Sequence, residues 1–187
     1  MPPKVKISKE DIIRAGLYLA RENGEATLNA RSIAAALGCS TQPIFSNFSS
    51  MEELEEEVIK AAYSLYLEFL QKEMSSGKYP QYKSYGMAYI RFANEEKELF
   101  KLLFMRDRTD EDMSASSDFE ESAQIIMKTN GVSLETARLM HLEMWTCVHG
   151  IGTMLATSFL SLDRELISTI LSDVYLGIRA RHTQKEN

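Results

Sequence analysis

From residue 8 onward, apolar positions recur at the three- and four-residue spacing of an amphipathic helix, as in Ile12, Ala15, Gly16, Leu19 and Ala20. No stretch sustains the alternation of a strand, so the pattern predicts an all-α chain of about nine helices. Ser8 with Asp11 stands at capping-box spacing, and Asn23-Gly24 suits a helix end, which gives a first helix over about 8–23. Asn29 suits the N-cap of a second helix whose apolar positions Ile33, Ala34 and Leu37 stop at Gly38. Ser40 is the expected cap of a short third helix with Pro43 in its first turn, where a missing N–H costs little. A long helix is expected from Ser50 to about Met74, its glutamate-rich start facing the positive end of the helix dipole.

Further helices are expected over about 82–94, 97–105, 118–130, 134–161 and 163–181, with the polar segment 106–117 a mobile loop. Met144 to Leu162 holds no Asp, Glu, Lys or Arg in 19 positions. Only 11 of these are apolar, so it reads as a helix buried in protein and not as a membrane span.

Length and composition add limits. The 187 residues are enough for a sizeable core, and with 44% hydrophobic and 26% charged residues the chain is globular and not disordered. Two distant cysteines, Cys39 and Cys147, and no signal-peptide pattern at Met1 to Lys6 point to a reduced, cytoplasmic protein. The net charge of −6 argues against a nucleic-acid partner until it is divided. Residues 1–50 carry six basic and four acidic groups, whereas 51–187 carry fifteen and twenty-three, so only the head is basic enough to meet phosphate.

The head also carries the most specific pattern. Residues 28–48 form two helices around Leu37-Gly38-Cys39-Ser40, which is helix-turn-helix grammar. Ile33, Ala34 and Leu37 pack the first helix, while Ile44 and Phe48 anchor the second. Ser40, Thr41 and Gln42 stand at its entrance. Gln can pair with adenine through two hydrogen bonds, and Thr can donate a hydrogen bond or meet a thymine methyl.

These spacings resemble the tetracycline-repressor-like (TetR) family of bacterial transcriptional regulators. The resemblance rests on Ile12 to Gly24, Arg31-x-Ile33-Ala34, Leu37-Gly38-x-Ser40 and Ile44-Phe45-x-x-Phe48, then Leu54. Downstream, Tyr89-Ile90-Arg91-Phe92-Ala93 with Leu99-Phe100-x-Leu102, and Trp145-x-x-x-His149-Gly150, are similar to the subgroup with a Trp and His-Gly signature. The resemblance implies a DNA-binding domain over 1–49 and a ligand-binding and dimerisation domain over 50–187, in a homodimer that binds a palindromic double-stranded operator and is released by a small, partly apolar effector. It places Arg31 on phosphate and Ser40, Thr41, Gln42, Pro43, Phe45, Ser46 and Asn47 toward DNA. It implies a four-helix dimer seam from the last two helices, for which Gly152, Ala156, Phe159, Ile170 and Val174 are candidates. Where the family often has Tyr, His and Lys, this chain has Phe45, Asn47 and Met51, so fewer phosphate partners and a shallower salt dependence are expected unless Lys4, Lys6 and Lys9 compensate as a basic arm.

Met87, Phe92, Phe104, Met105, Met127, Met144, Trp145 and His149 are candidates for the effector pocket, since flexible methionines among aromatics suit varied apolar ligands. The same residues at helical spacing also serve as plain core, and His149 suits a packed, hydrogen-bonded histidine equally well. No Cys/His spacing suggests a metal, no cofactor motif is present, and no nucleophile stands near a base, so an enzyme is not expected. A dimeric protein-binding module with weak or no DNA binding is the alternative.

Overall fold

The computed structural model describes residues 7–107 and 117–183. Among them it is all-α, with no strand. The helices are α1 (Lys9–Asn23), α2 (Ala30–Ala36), α3 (Gln42–Asn47), α4 (Met51–Ser75), α5 (Gln81–Glu95), α6 (Lys97–Phe104), α7 (Ser117–Asn130), α8 (Leu134–Ala156) and α9 (Arg164–Thr183), with a 3-10 turn at Glu25–Thr27. Most of the loop expected over 106–117 lies outside the described residues.

Local signals account for the helix ends. Ser8 and Asp11 close a reciprocal capping box, with Asp11 N–H donating to Ser8 Oγ at 3.1 Å and Ser8 N–H donating to Asp11 Oδ2 at 3.1 Å. The Ser8 N–H holds the Asp11 carboxyl below the usual carboxylate range. Asn29 Oδ1 accepts from the Ser32 N–H at 3.0 Å at the start of α2, and Gly38 follows its end with φ +64°.

Two expected ends are corrected. Thr41, not Ser40, precedes α3, because the first helical N–H groups, those of Ile44 and Phe45, donate to the Thr41 carbonyl. Helix α8 stops at Ala156 and not near 161. Ser158 takes the left-handed conformation at φ +58°, Phe159 N–H donates to Met154 O at 2.9 Å, and Ser158 N–H donates to Leu155 O at 3.0 Å. This is a Schellman stop built on serine, which the absence of glycine conceals in the sequence.

The described residues divide into two compact units, one of 7–68 with 96–106 and one of 69–95 with 107 and 117–183. Helix α4 runs unbroken through residues 51–75, and α6 belongs with the N-terminal helices, where it packs on α1. In the first unit, Arg21 of α1 forks onto the carboxylate of Glu96, which is 6% exposed, with Nε donating to Oε2 at 2.7 Å. Leu99, Phe100, Leu102 and Leu103 of α6 are buried, and the Phe100 and Phe104 rings meet at a tilt with centroids 5.3 Å apart.

In the second unit, α8 packs on α5, α7 and α9. One core cluster is built on Ala123, Ile126, Val132, Ala137 and Met140. At its edge Tyr82 Oη and His141 Nδ1 share a hydrogen bond at 2.8 Å, and Phe119 meets the imidazole at 4.6 Å between centroids. Burial pushes the His141 pKa down to about 4 and the Tyr82 hydroxyl upward. A histidine depressed on folding contributes stability that is fully present above the unfolded pKa near 6.5, and that stability is lost as pH falls toward 4. Urea midpoints of the wild type should therefore decline from about pH 6.5 to about 5, above the range where ordinary carboxylates titrate. His141→Phe should flatten that decline whatever its absolute stability, and an unchanged slope would refute the assignment.

Candidate functional site

The helix-turn-helix residues lie in the first unit. Ile33 and Ala34 of α2, Ile44 of α3 and Phe48 just after it are all buried. With Ile44 inward, the helical step of about 100° turns Gln42 and Ser46 to the opposite side and Phe45 to one flank, and all three are exposed. Pro43 and Asn47 lie on the flanks and are half-buried, as is Thr41, while Ser40 is exposed before the helix.

Hydrogen bonding divides these candidates further. Ser46 Oγ donates to Gln42 O at 2.9 Å, and Asn47 Nδ2 donates to Pro43 O at 2.7 Å, so both side chains spend donors on their own helix. Phe45 is 56% exposed, which is unusual for a ring on a six-residue helix otherwise anchored by its apolar side chains. Arg31 is exposed in the first turn of α2 and makes no ion pair among the described residues.

The expected basic arm is changed. Lys9 is turned inward, with Nζ 3.0 Å from Glu53 Oε1 and 4.7 Å from the centre of the Phe48 ring. Glu53 also accepts from the Ser49 N–H at 2.8 Å and from Ser49 Oγ at 2.7 Å. The Ser49 N–H, the Ser49 hydroxyl and the Lys9 ammonium hold its pKa down to about 2, so this member of the glutamate run braces the start of α4 instead of simply facing water. Lys4 and Lys6 lie outside the described residues.

The eight pocket candidates fall in several places. Phe104 packs edge-on against Tyr66 at 5.4 Å, and Met105 lines a cavity of about 320 Å³ with Glu25, Glu98, Lys101, Leu102 and Arg106, all in the first unit. In the second unit, Phe92 is buried against Phe69 at 5.3 Å, Met144 is buried, and Met127 packs on the core cluster around Met140. Met87 lines a cavity of about 130 Å³ with Ile90, Arg91, Asn94, Glu95, Leu162, Arg164 and Ile167.

Trp145 and His149 do meet. Their rings stack at 4.8 Å with 8° between planes, and His149 Nδ1 shares a 2.8 Å hydrogen bond with Tyr89 Oη. Two motifs 60 residues apart in sequence thus form one contact. In the sequence Tyr89 is one aromatic among several. Thr153, one turn beyond His149, belongs to no motif, and its buried hydroxyl lacks a hydrogen-bond partner among the described residues. No local sequence signal tells that Tyr89 reaches His149, because that depends on how α5 and α8 dock.

Of the seam candidates, Gly152 and Ala156 are buried within the chain, so they have little surface left to bury against a second copy. Phe159 is 76% exposed, Ile170 and Val174 are half-buried, and Leu139, Leu142, Leu166 and Leu176 on α8 and α9 are exposed as well.

Among the described residues no cluster of His, Cys, Asp or Glu could hold a metal ion, and no helix is long and apolar enough to cross a membrane. Cys39 and Cys147 are free thiols, and burial pushes the Cys147 thiol up, away from the reactive thiolate. No protein-family model and no curated protein matches the chain.

Proposed function

We propose that the chain is a DNA-binding transcriptional regulator of the tetracycline-repressor type, a homodimer that reads a palindromic operator and is released from it by a small, partly apolar effector. One observation carries this reading. Ile33, Ala34, Ile44 and Phe48 are sunk into the first unit while Gln42, Phe45 and Ser46 of α3 stand exposed, with Arg31 exposed on the preceding helix. A packed first helix and an unencumbered second one are what insertion into a major groove requires. The exposed apolar side chains of α8 and α9, Leu176 foremost, with Phe159 in the connection between them, support a dimer. The sign of regulation follows the resemblance alone, and effector release follows from linkage if the effector binds better to the form with lower operator affinity.

The test is selection from random duplex DNA at low salt with the full chain. A palindromic sequence should be enriched, with half-sites about 34–36 Å apart or a multiple of that. Arg31→Ala should weaken binding to all sequences alike and make the salt slope shallower by about 0.9 for each phosphate that a subunit no longer neutralises. Gln42→Ala should relax preference at one base pair of each half-site, a discrimination of about 1–3 kcal/mol. No enrichment from a folded dimer would sink the proposal. A protein-binding module is the second reading, favoured by the exposed Phe45 ring and by the commitment of Lys9 to Glu53. Met51→Lys separates the two, since only a weakened DNA reader should gain duplex affinity from the added cation.

A further inference from the structure

The side chains that α3 turns outward are uncharged. Gln42, Phe45 and Ser46 are its exposed members, away from buried Ile44, and the Ser46 hydroxyl already donates its hydrogen bond to the Gln42 carbonyl. No Arg or Lys is present there to pair with guanine O6 and N7, and no carboxylate to accept from cytosine N4. Gln42 retains an amide matched to adenine N6 and N7. Phe45 offers only an apolar ring, whose counterpart on a base edge is the 5-methyl group of thymine.

We infer that the outward face of α3 reads two A·T base pairs, with the Gln42 amide on an adenine and the Phe45 ring on a nearby thymine methyl. Residues three apart on a helix have Cβ atoms about 5–6 Å apart, and stacked bases follow one another at about 3.4 Å along a strand. The two readouts therefore fall on neighbouring base pairs or one pair apart. Phe45 acts in this scheme as a specificity residue, and its exposure in the free protein is the surface that the thymine methyl covers. This inference rests on the DNA-binding reading above.

The experiment replaces each thymine of the selected half-site by deoxyuridine, which removes the methyl group and leaves every hydrogen-bonding group in place. Wild-type affinity should fall about fourfold at one position, the value of one buried methyl group. Phe45→Ala, a change at an exposed position, should bind thymine and uracil duplexes equally there, while Phe45→Tyr should keep the difference. A guanine or cytosine at the centre of the half-site would overturn the inference and leave the DNA reading standing. So would uracil tolerated at every position, or a methyl dependence that survives Phe45→Ala. Failure to enrich any duplex overturns both.

Discussion

Arg164→Met is expected to destabilise the second unit by about 2–4 kcal/mol, because it leaves a carboxylate stranded out of water. Glu73 is 2% exposed, and the Arg164 guanidinium donates a hydrogen bond to its Oε1 while lying 5.7 Å from the centre of the Tyr79 ring. The pair is lopsided, since the Arg164 side chain is 44% exposed. Removing the acid leaves a cation that can still reach solvent, whereas removing the cation leaves a buried anion with no such escape. Glu73→Gln should therefore cost only about 1 kcal/mol, and adding it to Arg164→Met should recover most of the loss. Chemical denaturation of the four proteins closes the cycle. Equal losses for the two single variants would show that Glu73 is compensated by something other than Arg164.

Gly16→Leu should disrupt the first unit, and even Gly16→Ala should destabilise it by about 1–2 kcal/mol. Helix propensity alone argues the opposite, since Ala gains about 1 kcal/mol over Gly in a helix interior. Packing outweighs it. A Cβ on Gly16 would stand 2.8 Å from Val58 Cγ2, with Leu28 Cδ2 at 3.6 Å and Ile33 Cδ1 at 3.7 Å behind it. Val58 is fully buried and branched at Cβ, so it has no flexible end to yield, and overpacking of this kind costs about 1–3 kcal/mol. Val58→Ala in the Gly16→Ala background should return part of the loss, because it vacates the clashing position. Thermal melts of the single and double variants measure this, and a Gly16→Ala protein more stable than wild type would show that α1 and α4 can part at no cost.

Much of the candidate interface is legible along the chain. Asn29, Gly38 and Pro43 place α2, the turn and the start of α3 within about a residue, and buried Ile44 sets which neighbours face outward. Other details are not. Nothing local tells that Lys9 turns to Glu53, 44 positions away, instead of extending as an arm. The pocket candidates rest on residue type and helical spacing, and the same pattern serves Phe92 in the core, Phe104 in the first unit and Met87 beside a cavity.

By itself, then, the sequence determined the helices, most of their ends, the helix-turn-helix pattern and the basic head, since each follows from groups within about four residues along the chain or from a simple count of charge. Tertiary structure alone decided that α6 joins the first unit through Arg21 and Glu96, that Tyr89 finds the Trp145–His149 stack, and that Gly152 and Ala156 are buried inside the subunit. Those outcomes depend on which apolar faces dock. Docking is selected by complementary shape and paired burial across tens of residues, and periodicity along one helix carries no information about its partner.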